Sequence, residues 1–339
     1  MPEPRRASSV RVPAAIVWAG LGLLALVALN AIDHPGFLRI AWRDGHLYGA
    51  IVDIFTQGSR TMLLALGMTL VIATGGIDLS VGSVVAIAGA VCAVLLQQGA
   101  GLAFTVAAAV GVGLAAGGVN GLLVARLGVQ PIVATLILMV AGRGIAQLVV
   151  DGQVIVIANP AFGFWASGFV LGVPFAPLLV VALFAAAHLF LRRTAAGLFV
   201  EAVGDNETAS RFAGLASTRV KALVYVFCGA CAGLTGVLTA ANIRAADAYR
   251  AGENAELDAI FAVVVGGTAL TGGRFSLGGT LLGALLIQTL TATMYNLGVS
   301  PAVAPVPKAL LIVAVSLLQS EKLRRLAASW LAFGKRRPA

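Results

Sequence analysis

The stretch GGIDLSVG, residues 75–82, follows directly on the apolar run 62–73, and this acidic, glycine-rich interruption of a membrane-type pattern decides how the chain reads. An ionised carboxylate costs roughly 2.5 kcal/mol or more at the centre of a membrane helix. Asp78 is therefore expected to face protein or a water-filled cavity rather than lipid. A second reading fits the same residues: Asp78 sits at headgroup depth and caps a helix that starts near Ser80.

Working outward, the 339 residues are 59% hydrophobic and 11% charged, with a mean hydropathy of +0.97, too little polar surface to cover a soluble globule of this size. The composition is that of an integral membrane protein. The formal charge of +9 does not point to nucleic acid, because the cations cluster at Arg5, Arg6 and Arg11, at Arg192 and Arg193, and along 322–337. Such clustering is a topology signal. Cys92, Cys228 and Cys231 lie in apolar segments, and the CxxC they include has no βαβ pattern around it, so they read as small helix-packing residues. The first apolar segment, 14–31, has a basic leader. Its length and the lack of a small-residue cleavage site predict an uncleaved first membrane helix.

Against the roughly 20 residues that a bilayer core requires, ten spans are expected. They cover residues 14–31, 50–73, 81–97, 102–125, 131–150, 174–191, 222–241, 258–270, 278–295 and 303–318. With both termini cytoplasmic, Arg126, Arg192, Arg193, Arg211, Arg219, Lys221 and Arg274 fall inside, as basic loop residues should. Arg39, Arg43 and Arg60 are exceptions in the first outer loop. Arg244 and Arg250 are exceptions in another, mixed with Asp247, Glu253 and Glu256.

Two spans, 62–73 and 258–270, are poor as independent membrane helices, and they are related. VIATGGIDLSVGSVVAIAGAVCAVLL from Val71 resembles VVVGGTALTGGRFSLGGTLLGALLIQTL from Val263. Each is an apolar run, a break (Gly75 and Gly76; Gly266 and Gly267, then Gly272 and Gly273), a hydroxyl-bearing turn and a second small-residue helix. Paired glycine-interrupted segments in two halves of a transporter point to its translocation path. Close helix packing is the other use of such glycines, and it also fits Gly111, Gly113, Gly117, Gly118 and Gly121, then Gly229, Gly233 and Gly236. The expected fold is thus all-α, a polytopic membrane protein of about ten transmembrane helices in two related halves with Gly-interrupted helices. Residues 1–13 form a cytoplasmic tail, 14–320 a single membrane domain, and 321–339 a basic cytoplasmic tail.

The longest inner loop, 192–221, holds EAVGDNETASRFAG from Glu201. Ala202, Val203, Ala209, Phe212, Ala213 and Leu215 make a small apolar face, with Glu201, Asp205, Asn206, Glu207 and Arg211 polar. This suits a short helix lying along another protein, or an ordinary surface helix. Asp205 or Asn206 is placed to N-cap its second part. No lysine sits in a phosphate-binding loop, no nucleophile elbow or H-E-x-x-H is present, and His34, His46 and His188 are scattered. Neither an enzyme nor a metal site is expected.

GMTLVIATGGIDLSVG from Gly67, EAVGDNETASRFAG from Glu201 and ELDAIFAVVVGGTALTGGRFSLGGTLLGALL from Glu256 resemble the signature segments of the ribose/xylose-type permeases of bacterial ABC sugar importers. The resemblance runs from the first membrane helix to the last. VATLILMVAGRGIAQLVVDGQ from Val133 and IRAADAYRAGENAELDAI from Ile243 are similar to the galactofuranose-type subgroup. The resemblance implies a half-transporter in the bacterial inner membrane, set in lipid, that carries a monosaccharide: galactofuranose or a related aldose such as ribose or xylose. It implies three protein partners: a second permease subunit, identical or homologous; a cytoplasmic ABC ATPase; and a periplasmic sugar-binding protein. ATP and Mg would be used by the ATPase, with no cofactor on this chain.

On the same resemblance, Glu201, Ala202, Gly204, Asn206, Arg211 and Gly214 belong to the coupling helix seated in the ATPase. Gly204→Trp and Arg211→Glu are then expected to alter the docking surface alone. Path candidates are Asp78, Arg143, Gln147, Arg244, Asp247 and Glu256. Asp78 and Gln147 would exchange hydrogen bonds with sugar hydroxyls, whereas Arg244, Asp247 and Glu256 lie on the outer side, where the binding protein docks. Structural alternatives are an ion pair for Arg143 and a helix cap for Asp258. An ion-coupled secondary sugar carrier acting without an ATPase is the rival that the paired breaks also permit.

Overall fold

The computed structural model describes residues 14–300 and 303–319, so the two expected tails, 1–13 and 321–339, lie outside the described residues. Long Ala-, Leu- and Val-rich runs with few prolines fold as helices, the one element that closes its own backbone hydrogen bonds away from water. They are Ala14–Asp33 (α1), Ala50–Ala73 (α2), Val81–Gln97 (α3), Leu102–Gly121 (α4), Pro131–Val149 (α5), Pro160–Ser167 (α6), Phe175–Arg193 (α7), Ala196–Asp205 (α8), Glu207–Phe212 (α9), Ser217–Ile243 (α10), Ala255–Val265 (α11), Leu277–Asn296 (α12) and Pro305–Gln319 (α13). A π-turn at Leu122–Arg126 prolongs α4. Pro131 and Pro160 open their helices, where a missing N–H is harmless.

Every span expected from sequence contains a helix. Among the described residues, six helices (α1, α4, α5, α7, α10 and α12) are long and apolar enough to cross a membrane by themselves, as befits a multi-pass protein. The others differ for identifiable reasons. α2 is 24 residues long but has Asp53, Thr56, Gln57, Ser59 and Arg60 in its first half, and α3, α11 and α13 have only 17, 11 and 15 residues. Arg60 therefore lies within α2 and not in a loop, which corrects its place as a loop exception. α6 was not expected from sequence, whereas the inner loop divides into α8 and α9 at one of the two cap positions expected for its second part.

Short strands pin the connections at one end. Ala41–Arg43 (β1) pairs with His46–Tyr48 (β2), Ile155–Val156 (β3) with Ala245–Ala246 (β6), and Phe169–Val170 (β4) with Val173–Pro174 (β5), all antiparallel. The two hairpins join where Leu47 N–H donates to Gly172 O at 2.8 Å, with the His46 and Phe169 rings 4.3 Å apart.

The core surrounds α2, whose residues 62–73 are buried without exception, and α10, which packs on α2, α3 and α4. Apolar side chains gain little by leaving lipid for protein, so close backbone approach has to supply the cohesion. Gly113, Gly117 and Gly121, four residues apart, turn one face of α4 to α10; a Cβ on Gly117 would sit 2.9 Å from Val226 Cα. Gly111 and Gly118 face open space instead. The CxxC has the expected packing role: all three cysteines are free and buried, and a Cβ on Gly67 would lie 2.8 Å from Cys228 Cα. At the periphery, Asn30 Nδ2 of α1 donates to Thr293 Oγ1 of α12 at 2.6 Å, and Lys308 of α13 pairs with Asp258 of α11 at 2.8 Å. Asp258 thus serves an ion pair, not its own cap.

Candidate functional site

The two glycine breaks meet. After Ala73 the backbone turns through Gly75 at φ +75°, and the loop between α11 and α12 turns through Gly267, Gly272 and Gly273 at φ +93°, +88° and +95°. That region is ordinarily open only to glycine. Gly273 N–H donates to Ala73 O at 2.9 Å, joining the breaks backbone to backbone. Gly204, at the end of α8, is wedged into the same junction: a Cβ there would run into Ala73 O and the Gly273 nitrogen. From the other side, a Cβ on Gly272 would lie 2.8 Å from Gly204 O and 2.9 Å from Gly75 N.

Asp78 is buried inside protein. Its Oδ1 accepts from Ser80 N–H at 2.9 Å, Ser80 Oγ at 2.6 Å and Asn120 Nδ2 at 3.3 Å, and Asn120 Nδ2 also donates to Ser80 Oγ at 2.8 Å. The carboxylate therefore organises the start of α3 and ties it to the end of α4. Burial with several donors is how an acidic group is accommodated at membrane depth.

A polar cleft runs between α2, α10, α12 and the loop before α11. One part, of about 400 Å³, is lined by Gln57, Arg60, Thr61, Thr235, Thr239, Asp247, Arg250, Glu253 and Gln288 among others. A second, of about 500 Å³, shares Gln57, Arg60 and Gln288 and continues past Asp53, Thr291, Tyr295 and Asn296. Both fall within the roughly 300–1,000 Å³ typical of small-molecule sites. The lining follows helical spacing, 57, 60, 61 and 64 on α2 and 235, 239 and 243 on α10. Arg60 lies about 15 Å along α2 from its first residue, at 1.5 Å rise per residue. Its Nη2 donates to Gln57 Oε1 at 2.7 Å, and it forms no ion pair among the described residues. The cleft thus offers amides, hydroxyls, the guanidinium groups of Arg60 and Arg250 and the carboxylates of Asp53, Asp247 and Glu253 to a solute.

Of the six expected path residues, Asp247 alone lines this cleft; its Oδ1 accepts from Tyr249 and Arg250 N–H at 3.0 and 3.1 Å. Arg143 donates to Ala251 O and, at 3.5 Å, to Tyr249 O, fixing that loop to α5 through carbonyls and not through an ion pair. The Glu256 carboxylate packs against Gly82 at the start of α3. Arg244 caps α10 in the left-handed region at φ +51°, with its guanidinium beside Gly163 of α6. Gln147 is half-buried near the end of α5. Gln57, Arg60, Thr235, Thr239 and Gln288 were missed, although polar residues at helical spacing inside apolar runs were the signal for them.

The 196–214 segment divides at Asn206, whose Oδ1 accepts from Ala209 N–H at 2.9 Å and caps α9, while Asp205 ends α8. Ser210 Oγ donates to Ala202 O at 2.8 Å to close the corner, Lys221 pairs with Glu207, and Gly214 turns at φ +84°. The expected single apolar face is split: Val203 is buried in the bundle, whereas Phe212 is 88% exposed beside exposed Arg211. Glu201 lines a separate cleft of about 340 Å³ with His188, Arg192 and Ser276. Gly204 is not a docking-surface residue alone, so Gly204→Trp would disturb the junction itself.

Comparison with known proteins accords with this architecture. Residues 50–316 match the family described as branched-chain amino acid transport system / permease component. The chain is 44% identical over 302 residues to the galactofuranose transporter permease protein of Escherichia coli K12, covering 89% of each. It is 38% identical to the fructose import permease protein of Bifidobacterium longum, over 93% of this chain and 90% of that one. It is 37% identical to the ribose import permease protein of Escherichia coli K12, over 89% and 92%. No solved structure matches the chain. With a family match across most of its length and a fold of membrane-length apolar helices crossed at glycines, the chain belongs to this permease-component family of multi-pass membrane proteins.

Proposed function

We propose that this chain is the membrane permease of an ABC importer for a monosaccharide, with galactofuranose the leading substrate. The observation that carries the reading is the likeness, over about nine tenths of the chain, to permeases named for galactofuranose, fructose and ribose. Those three names agree on a monosaccharide, whereas the family description speaks of branched-chain amino acids. The lining supports the narrower reading: the Gln57 and Gln288 amides both donate and accept, and Thr235 and Thr239, whose protons go to the Cys231 and Thr235 carbonyls, accept, a mixture that suits sugar hydroxyls.

On this reading ten helices cross the bacterial inner membrane in two related halves, with both termini cytoplasmic. The polar cleft is this subunit's share of a path completed by a second permease. The hairpin end receives sugar from a periplasmic binding protein. α8 and α9 are the coupling element, with Phe212 and Arg211 presented to an ATPase that uses ATP and Mg; this chain binds no cofactor. Gly204 would carry ATPase movement to both glycine breaks, since an element in backbone contact cannot shift alone. The path would then alternate between its two openings.

Reconstitution tests the proposal. Proteoliposomes holding the permease with its co-purified ATPase, given binding protein and labelled galactofuranose, should accumulate sugar only with internal ATP. Uptake by the permease alone, driven by a proton or sodium gradient, would instead identify a secondary carrier.

A further inference from the structure

A groove of about 260 Å³ on the outside of the bundle is walled by α7 and α10 and floored by α8, with Phe190, Phe199, Val220, Leu223 and Phe227 in its lining. The lining is apolar throughout. Phe190 and Leu223 are 60% and 67% exposed, on two helices that are long and apolar enough to cross a membrane. From Val220 to Phe227 the α10 wall is about 10 Å long, at 1.5 Å rise per residue, enough for the upper half of a fatty acyl chain.

Cations mark one mouth. Arg193 lies three residues beyond Phe190 on α7, and Arg219 lies four residues before Leu223 on α10, so helical spacing puts each just past the groove on its own wall. Both are exposed, and neither forms an ion pair among the described residues, whereas nearby Lys221 is committed to Glu207. An apolar slot beside the inner ends of two membrane-length helices, with unpaired guanidinium groups at its mouth, matches one amphiphile: an acyl chain carrying an anionic phosphate.

We propose that this groove is a binding site for an anionic phospholipid, with an acyl chain against α8 and the phosphate between Arg193 and Arg219. A second copy of the chain fits less well. A two-fold contact sets a patch against itself and would gather four unpaired cations in one place. Val200, the last α8 residue of the groove floor, lies one turn before Gly204, so the lipid would brace the helix that contacts both glycine breaks.

The full chain, purified with its partners and equilibrated with equimolar phosphatidylglycerol and phosphatidylcholine, can be weighed intact by native mass spectrometry. Phosphatidylglycerol should be retained at least fivefold over phosphatidylcholine. Arg193→Gln with Arg219→Gln should abolish that preference, and Leu223→Trp, which fills the slot from an exposed position, should reduce retention of both lipids. Equal retention by the wild type, or an unchanged preference in the double variant with its melting temperature intact, would overturn the proposal. So would a disulfide formed between two copies through Leu223→Cys, which would assign the face to a dimer. Should the Trp variant fold poorly, the double arginine variant decides alone.

Discussion

Asn120 donates from one nitrogen to both Ser80 and Asp78, which makes it the hinge pin of the first glycine break. Removing a donor from a buried carboxylate leaves desolvated acceptors behind, at a cost on the order of 1–3 kcal/mol. Asn120→Ala should therefore lower the unfolding temperature of the purified permease while still inserting into membranes; an unchanged melting curve would mean that the cluster is dispensable. Arg60 makes the opposite case. It has no ion-pair partner to leave exposed and it lines both parts of the polar cleft. Arg60→Gln should leave the melting temperature within a degree or two of wild type yet reduce labelled-sugar uptake about tenfold, the equivalent of one lost charged hydrogen bond of roughly 1.5 kcal/mol. Equal losses of stability and uptake would assign Arg60 to the scaffold.

At the scale of elements, α8 and α9 differ in what they touch. α8 ends in the glycine junction, where even one added methyl group has no room. Overpacking of this kind costs about 1–3 kcal/mol. Gly204→Ala is expected to show both a lower melting temperature and reduced uptake. α9 instead exposes Phe212. Phe212→Asp should keep the melting temperature of the isolated permease and abolish co-purification of the ATPase, read by size exclusion of the mixed proteins. Retained co-purification would move the docking surface elsewhere on the inner end.

For the whole molecule, cohesion depends on where glycines fall along crossing helices. Gly117 lies at the α4–α10 contact and Gly118, its neighbour, faces open space. Gly117→Leu should prevent recovery of folded protein and Gly118→Leu should be tolerated, as judged by fluorescence size-exclusion profiles. Similar behaviour of the pair would contradict the crossing described here.

Sequence by itself determined the class and the linear order of elements, because a bilayer imposes a length and an apolarity that can be read one residue after another. The boundaries of α2 and α3 follow directly, as does the break marked by Gly75, Gly76 and Asp78. The cap at Asn206 was one of two adjacent possibilities, and only the local hydrogen bond chose it. What tertiary structure alone decided was which faces turn inward. Gln57, Arg60, Thr235 and Gln288 are separated by up to 231 positions and become one cleft only when α2, α10 and α12 pack side by side. Gly204, Ala73 and Gly273 likewise meet through backbone atoms, which carry no residue-specific signal along the chain. Local pattern reports helix and burial; the joining of distant segments is set by packing, and packing is a property of pairs of surfaces.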